Sequence, residues 1–293
     1  MIKIENMSMI YPNGKGVFDI NLHVKKGEVF GFLGPNGAGK TTTIRQLMGF
    51  TNASEGRCFI NGLDTRKETE VIQRDLGYLP GEITFFDNMT GDEFLAFLTA
   101  LRGEKTDKRK DELLKYFELD SDSAISKMSK GMKQKLGLVA AFMHGPDILI
   151  LDEPTSGLDP LMQRKFINLI REEKNRGKTI LLSSHMFEEV DRTCSRAAII
   201  KEGRIVVTED ITTLKKNLKK SFLVTFGKKE DIDIVVSSGL EYNKIEDLKL
   251  EIFVSDQYKE FFHTLNQCDV TSLDVVEQSL EQVFIGYYGK EEA

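Results

Sequence analysis

Lys40, Thr41 and Thr42 close a glycine-rich segment, Gly34-Pro-Asn-Gly-Ala-Gly, and residues of these types at this spacing do phosphate chemistry. The segment fits G-x-x-x-x-G-K-[ST]. Glycines at 34, 37 and 39 let the backbone turn, so that N–H groups of Asn36, Gly37, Ala38 and Gly39 can point at one anion. Lys40 would sit on the outer phosphates, the Thr41 hydroxyl would ligate magnesium, and Thr42 would help hold the innermost phosphate. A second cluster, Ile148-Leu-Ile-Leu-Asp-Glu-Pro, ends an aliphatic run in two acids. Asp152 would complete the magnesium shell, and Glu153, pointing elsewhere, would polarise a water for in-line attack on the terminal phosphate.

The elements that must position these groups are legible around them. The apolar run Val29 to Leu33 predicts a buried strand before the phosphate loop, and Thr41 to Met48 predicts a helix after it. Ile148 to Leu151 predicts a central parallel strand whose carboxyl end opens on the ligand crevice. Thr179 to Leu182 predicts a further strand ending near His185, and Pro160 to Arg176 a helix stopped by Gly177. Between the two clusters lies SKGMKQK, where Ser129 suits the start of a helix running through Leu136, Leu138 and Val139.

Taken together and in this order, the three segments resemble those of the nucleotide-binding subunits of ATP-binding cassette (ABC) transporters. The resemblance covers about residues 2–210. It implies an α/β fold: a P-loop NTPase core with an N-terminal antiparallel β layer and an inserted α-helical subdomain, here about residues 85–144, followed by a small α+β C-terminal extension. It implies ATP and Mg2+ as ligands, and two subunits packed head to tail. Ser129 and Gly131 would then donate to the γ-phosphate of the partner's ATP, Asp159 would lie in the loop coupling the two sites, and His185 would sense the γ-phosphate. Tyr11, before a Pro-Asn-Gly turn, would stack on adenine or serve as a turn tyrosine. The family's usual LSGGQ reads MSKGM, and Lys130 there would add a cation near phosphate or stand solvated. The family's loop glutamine has no counterpart in GYLPGEITFFDNMT. Glu82 could take part of its role, and Phe85, Phe86 and Met89 read either as a groove for a membrane partner or as core.

Domain boundaries are expected at 1–212 for the ATPase domain, 213–221 for a linker containing LKKNLKK, and 222–293 for the accessory domain. The tail ends in SLEQVFIGYYG, where Ser279 and Gln282 fit a capping box and Leu280, Val283, Phe284 and Tyr287 share a helical stripe. This ending resembles single-core subunits of drug and peptide exporters, which implies export of drugs, peptides or lipids.

With 293 residues and 40% hydrophobic content, the chain can bury one large core and a smaller one. A net charge of -6 provides no basic footprint, so no nucleic-acid partner is expected. Cys58, Cys194 and Cys268 are scattered without metal spacing. No signal peptide is expected, and no apolar stretch approaches the ~18 residues of a membrane span. Transport would therefore need a separate polytopic membrane subunit, with this chain held on the cytoplasmic face as a homodimer or as a heterodimer with a related ATPase. The alternatives are a soluble cassette ATPase acting on ribosomes or nucleic acid, opposed by the single phosphate loop, and an ATP-binding regulator without turnover, opposed by Glu153 and His185.

Overall fold

A computed structural model of the chain describes residues 1–86, 88–103, 107–216, 220–255 and 257–276. These divide into two compact units, Met1–Ile211 and Thr212–Ala293.

The first unit is built on two sheets. A six-stranded sheet runs from edge to edge as Arg204–Asp210, Arg196–Lys201, Val29–Leu33, Thr179–Ser184, Ile148–Asp152 and Leu76–Leu79. Its neighbours are parallel except for the first pair. Val29–Leu33 and Ile148–Asp152 are buried along their whole length, which explains why both read as unbroken apolar runs rather than alternating ones. The second sheet is antiparallel, ordered Gly16–Val24, Ile2–Ile10, Glu55–Ile60, Leu63–Asp64. Its inner face, with Ile2, Ile4, Ile20, Leu22 and Ile60, shares one core with Phe30, Phe32, Ile150 and Ala198 of the parallel sheet. The helix Lys40–Leu47 contributes Ile44 and Leu47 to that same core, so the phosphate loop is anchored from both sides.

Between Leu79 and Ile148 the chain is helical: Gly91–Arg102, Asp107–Tyr116, a short 3-10 turn at Ile125–Lys127, and Lys130–Phe142. Thr90 and Glu93 form a reciprocal capping box on the first of these. Phe85 and Phe86 are not simply core. Phe85 stacks edge-on against Phe94 at 5.0 Å, while Phe86, 51% exposed, meets Phe97, 38% exposed, at 5.8 Å.

In the second unit the strands are ordered Glu241–Glu246, Lys249–Val254, Lys220–Phe226, Val270–Val276, all antiparallel. The helices Glu230–Ser237 and Tyr258–Leu265 supply Val235, Phe261 and Leu265 to a core with Phe222, Val224, Leu250 and Ile252. The stretch expected as a linker opens as a helix, Ile211–Lys216, and its end is already strand from Lys220. The expected helix over Ser279, Leu280, Gln282, Val283, Phe284 and Tyr287 lies outside the described residues. Among the described residues no helix is long and apolar enough to cross a membrane. The three cysteines are free, and burial pushes the Cys58 and Cys194 thiols up to about 12.

Candidate phosphate-binding and hydrolytic site

Three strands, Val29–Leu33, Thr179–Ser184 and Ile148–Asp152, lie side by side and parallel, so their carboxyl ends deliver three loops to one place. The first carries Gly34 to Thr42, the second His185, the third Glu153. At the turn into the helix, Gly39 has φ +111° and a Cβ there would lie 2.5 Å from Val17 Cγ1, so glycine is required for both conformation and space.

Lys40 is buried and donates from Nζ to the carbonyls of Gly34 (2.6 Å) and Pro35 (3.1 Å). The same Nζ pairs with Glu153 Oε1 at 3.1 Å. Glu153 Oε2 accepts from His185 Nδ1 at 2.6 Å, so the carboxylate divides its oxygens between a cation and an imidazole. Asp152, fully buried, accepts from Thr41 Oγ1 at 2.7 Å on one oxygen and from Ser183 Oγ on the other. Consecutive acids thus face different partners: Asp152 is the last residue of its strand, and Glu153 turns out of it at φ +49°.

A cleft of about 330 Å3 opens over these groups, lined by Tyr11, Asn36, Gly37, Gly39, Lys40, Thr41, Thr42 and Glu153, together with Asn13, Lys15 and Gly16. Tyr11 Oη lies 3.4 Å from Thr42 Oγ1, which sets its ring at the rim beside the loop. Ala38 does not line the cleft. Its side chain is buried in the core and its carbonyl accepts from Gly203 N at 2.9 Å. Asp152 stays beneath the cleft floor, reached through Thr41.

Ser129, Gly131 and Asp159 stand apart from this cleft. Ser129 caps the helix Lys130–Phe142, its Oγ accepting from Met132 N at 3.2 Å, and Asp159 caps Pro160–Asn175, accepting from Met162 N at 3.0 Å. Ser129 and Asp159 are exposed. Gly81 stands where a Cβ would lie 3.0 Å from Asp152 Oδ2, while Glu82 is exposed.

Two groups escaped the sequence reading. Ser183, two residues before His185, hydrogen-bonds Asp152 and also accepts from Glu153 N at 3.1 Å. Glu189, in the first turn of the helix Phe187–Thr193, is buried and accepts from Ser184 Oγ at 2.6 Å. Burial pushes its carboxyl up to about 7, with the nearby Glu153 charge adding to the shift and the Ser184 hydrogen bond opposing it.

Comparison with known proteins places these features among relatives. The sequence profile of the ABC transporter family matches residues 17–156, which contain the phosphate loop, the Ser129 segment and the acidic strand. The chain is 31% identical to the linearmycin resistance ATP-binding protein LnrL of Bacillus subtilis (strain 168), over 99% of each chain. It is 32% identical to the bacitracin transport ATP-binding protein BcrA of Bacillus licheniformis, over 99% of this chain and 97% of that one. Among solved structures, the dimeric structure of MJ0796, a bacterial ABC transporter cassette, matches with a TM-score of 0.67 at 25% identity, over 72% of this chain and 99% of that one.

Proposed function

The chain belongs to the ABC transporter family as an ATP-binding, ATP-hydrolysing subunit, and from that premise we propose that two such subunits close on two ATP molecules and drive a separate membrane subunit, most simply for export. One observation carries the site assignment: Lys40 pairs with Glu153 and Glu153 with His185, while Thr41 meets Asp152, so that Lys40, Thr41 and Glu153 line one cleft with Asp152 beneath it. Export rather than import is supported by the names of LnrL and BcrA, a resistance protein and a transport protein.

In this reading Asn36, Gly37, Ala38 and Gly39 present backbone N–H groups to the phosphates, Lys40 offsets their charge, and Tyr11 stacks on the base. The donors at Thr41 and Asp152 are a hydroxyl and a carboxylate already 2.7 Å apart, hard oxygens of the kind that hold Mg2+ together with phosphate and water. When bound, the ion would add positive charge to the reacting phosphate. Glu153 orients the attacking water and His185 fixes the Glu153 carboxylate. Ser129 and Asp159, exposed at helix starts, and Gly131, half-buried beside Ser129, serve the partner's nucleotide and the coupling between sites. Dimerisation is supported by the dimeric cassette structure, and the partner is either a second copy or a related ATPase. The exposed Phe86 and Phe97 edges receive the membrane subunit, which holds the chain on the cytoplasmic face.

The test is to solubilise native membranes in mild detergent, capture this subunit by a tag, and identify what accompanies it by mass spectrometry. A polytopic membrane protein at stoichiometric yield is expected. Recovery only with ribosomes or nucleic acid would overturn the proposal.

A further inference from the structure

Glu153 adopts φ +49°, a left-handed conformation that costs a non-glycine residue and persists only when its surroundings hold it. Its amide nitrogen donates to both the carbonyl (3.2 Å) and the hydroxyl (3.1 Å) of Ser183. On the carbonyl side the holding group comes from a different subdomain. Gln134, in the helix Lys130–Phe142, donates from Nε2 to Pro154 O at 2.8 Å and lies 3.4 Å from Glu153 O. Gln134 is the only polar side chain among that helix's buried residues, 5% exposed, and it faces the end of the acidic strand. A buried amide committed to two successive main-chain carbonyls is a strong local constraint, because leaving either partner unpaired carries a desolvation cost.

The same helix touches the same loop once more. Gly157 has φ +79°, and the Lys130 stem covers it so closely that a Cβ there would lie 3.2 Å from Lys130 Cγ and Cδ; a Cβ at Gly131 would lie 2.9 Å from Gly157 O. Lys130 therefore rests its aliphatic stem on the loop that leads to Asp159. The helix that carries Ser129 and Gly131 and the loop that carries Glu153 are fastened at two points in one chain.

We propose that Gln134 is a positioning residue for hydrolysis: it holds Glu153 in its left-handed conformation and ties it to the helix presenting Ser129 and Gly131. This rests on the reading of Glu153 as the water-orienting carboxylate. A displacement of the helix carries the Gln134 amide with it, and through Pro154 and Glu153 it alters where the carboxylate stands between Lys40 and His185.

The experiment compares Gln134→Met, which keeps the length and loses both donors, in the wild-type and Glu153→Gln backgrounds of the full chain. The expected result is a fall in kcat of about tenfold with ATP Kd within about twofold, as for loss of one positioning hydrogen bond, and no further fall in the Glu153→Gln background. Gln134→Glu, which keeps the shape and replaces donor by acceptor, serves if the methionine variant does not fold, and should show the same pattern. A folded, ATP-binding Gln134 variant with kcat within twofold of wild type would overturn the inference. So would an equal loss in both backgrounds, which would mark a merely structural role. Failure of Glu153→Gln itself to lower hydrolysis would instead refute the underlying reading of Glu153.

Discussion

Lys40 Nζ lies 3.1 Å from Glu153 Oε1, so the phosphate-loop cation and the candidate water-orienting acid are ion-paired across the cleft, with 6% and 17% of their side chains exposed. Removing either partner leaves a poorly solvated charge behind. Lys40→Ala should therefore do two things: abolish most ATP affinity and, without nucleotide, lower stability by roughly 1–3 kcal/mol. Adding Glu153→Gln should recover part of that stability, because the orphaned charge goes with it. Thermal unfolding of the two single variants and the double variant checks this, and strict additivity would contradict the pair.

Two copies of the Glu153→Gln variant should associate stably in magnesium ATP if, as proposed, the copies close on ATP and part on turnover, because the variant should bind ATP and turn it over slowly. Light scattering should read a dimer with magnesium ATP and a monomer without it. A monomer under both conditions would count against two copies of this chain closing on shared nucleotides.

Glu189 makes stability depend on pH in a definite direction. Its carboxyl is pushed by burial from 4.5 up to about 7, so between those values the folded protein binds more protons than the unfolded chain. Stability should therefore fall as pH rises through that window, by about 3 kcal/mol at most. Glu189→Gln should flatten this dependence and be the more stable protein at pH 8. Denaturant unfolding at several pH values measures it, and an unchanged slope in the variant would show that Glu189 titrates normally.

Phe86→Ser should weaken capture of the proposed membrane subunit while leaving the isolated subunit's ATP hydrolysis within about twofold, because its ring lies at the surface and meets only the Phe94 and Phe97 rings among the described aromatic residues. Pull-down from detergent extracts and a hydrolysis assay on the same preparation separate the two effects. Equal loss of both activities would place Phe86 in the fold of the helical subdomain rather than at a docking surface.

The elements around the phosphate loop are legible because they are local. Gly34 to Thr42 is continuous, and its flanking strand and helix declare themselves as an apolar run and a turn into Lys40–Leu47. The acidic strand was legible for the same reason. Glu55–Ile60, which joins the N-terminal sheet beside Ile2–Ile10, is not legible, since only Cys58 and Ile60 are buried in a run that also carries Glu55 and Arg57. Gln134 and Glu189 are not legible in the sequence because a polar residue in a helix carries no local sign of burial; their burial comes from tertiary packing. The ion pair of Lys40 with Glu153 joins two segments whose adjacency depends on strand order, which no local pattern encodes.

Hydrolysis and ATP binding measured side by side in the wild-type chain and in Glu153→Gln decide whether Glu153 serves the hydrolytic step. Both proteins should bind ATP with similar Kd, and the variant should hydrolyse it about 10²–10⁴-fold more slowly, the range for losing a positioned general base. A variant that binds ATP and turns it over at the wild-type rate would contradict the assignment of Glu153 and the hydrolytic site built around it.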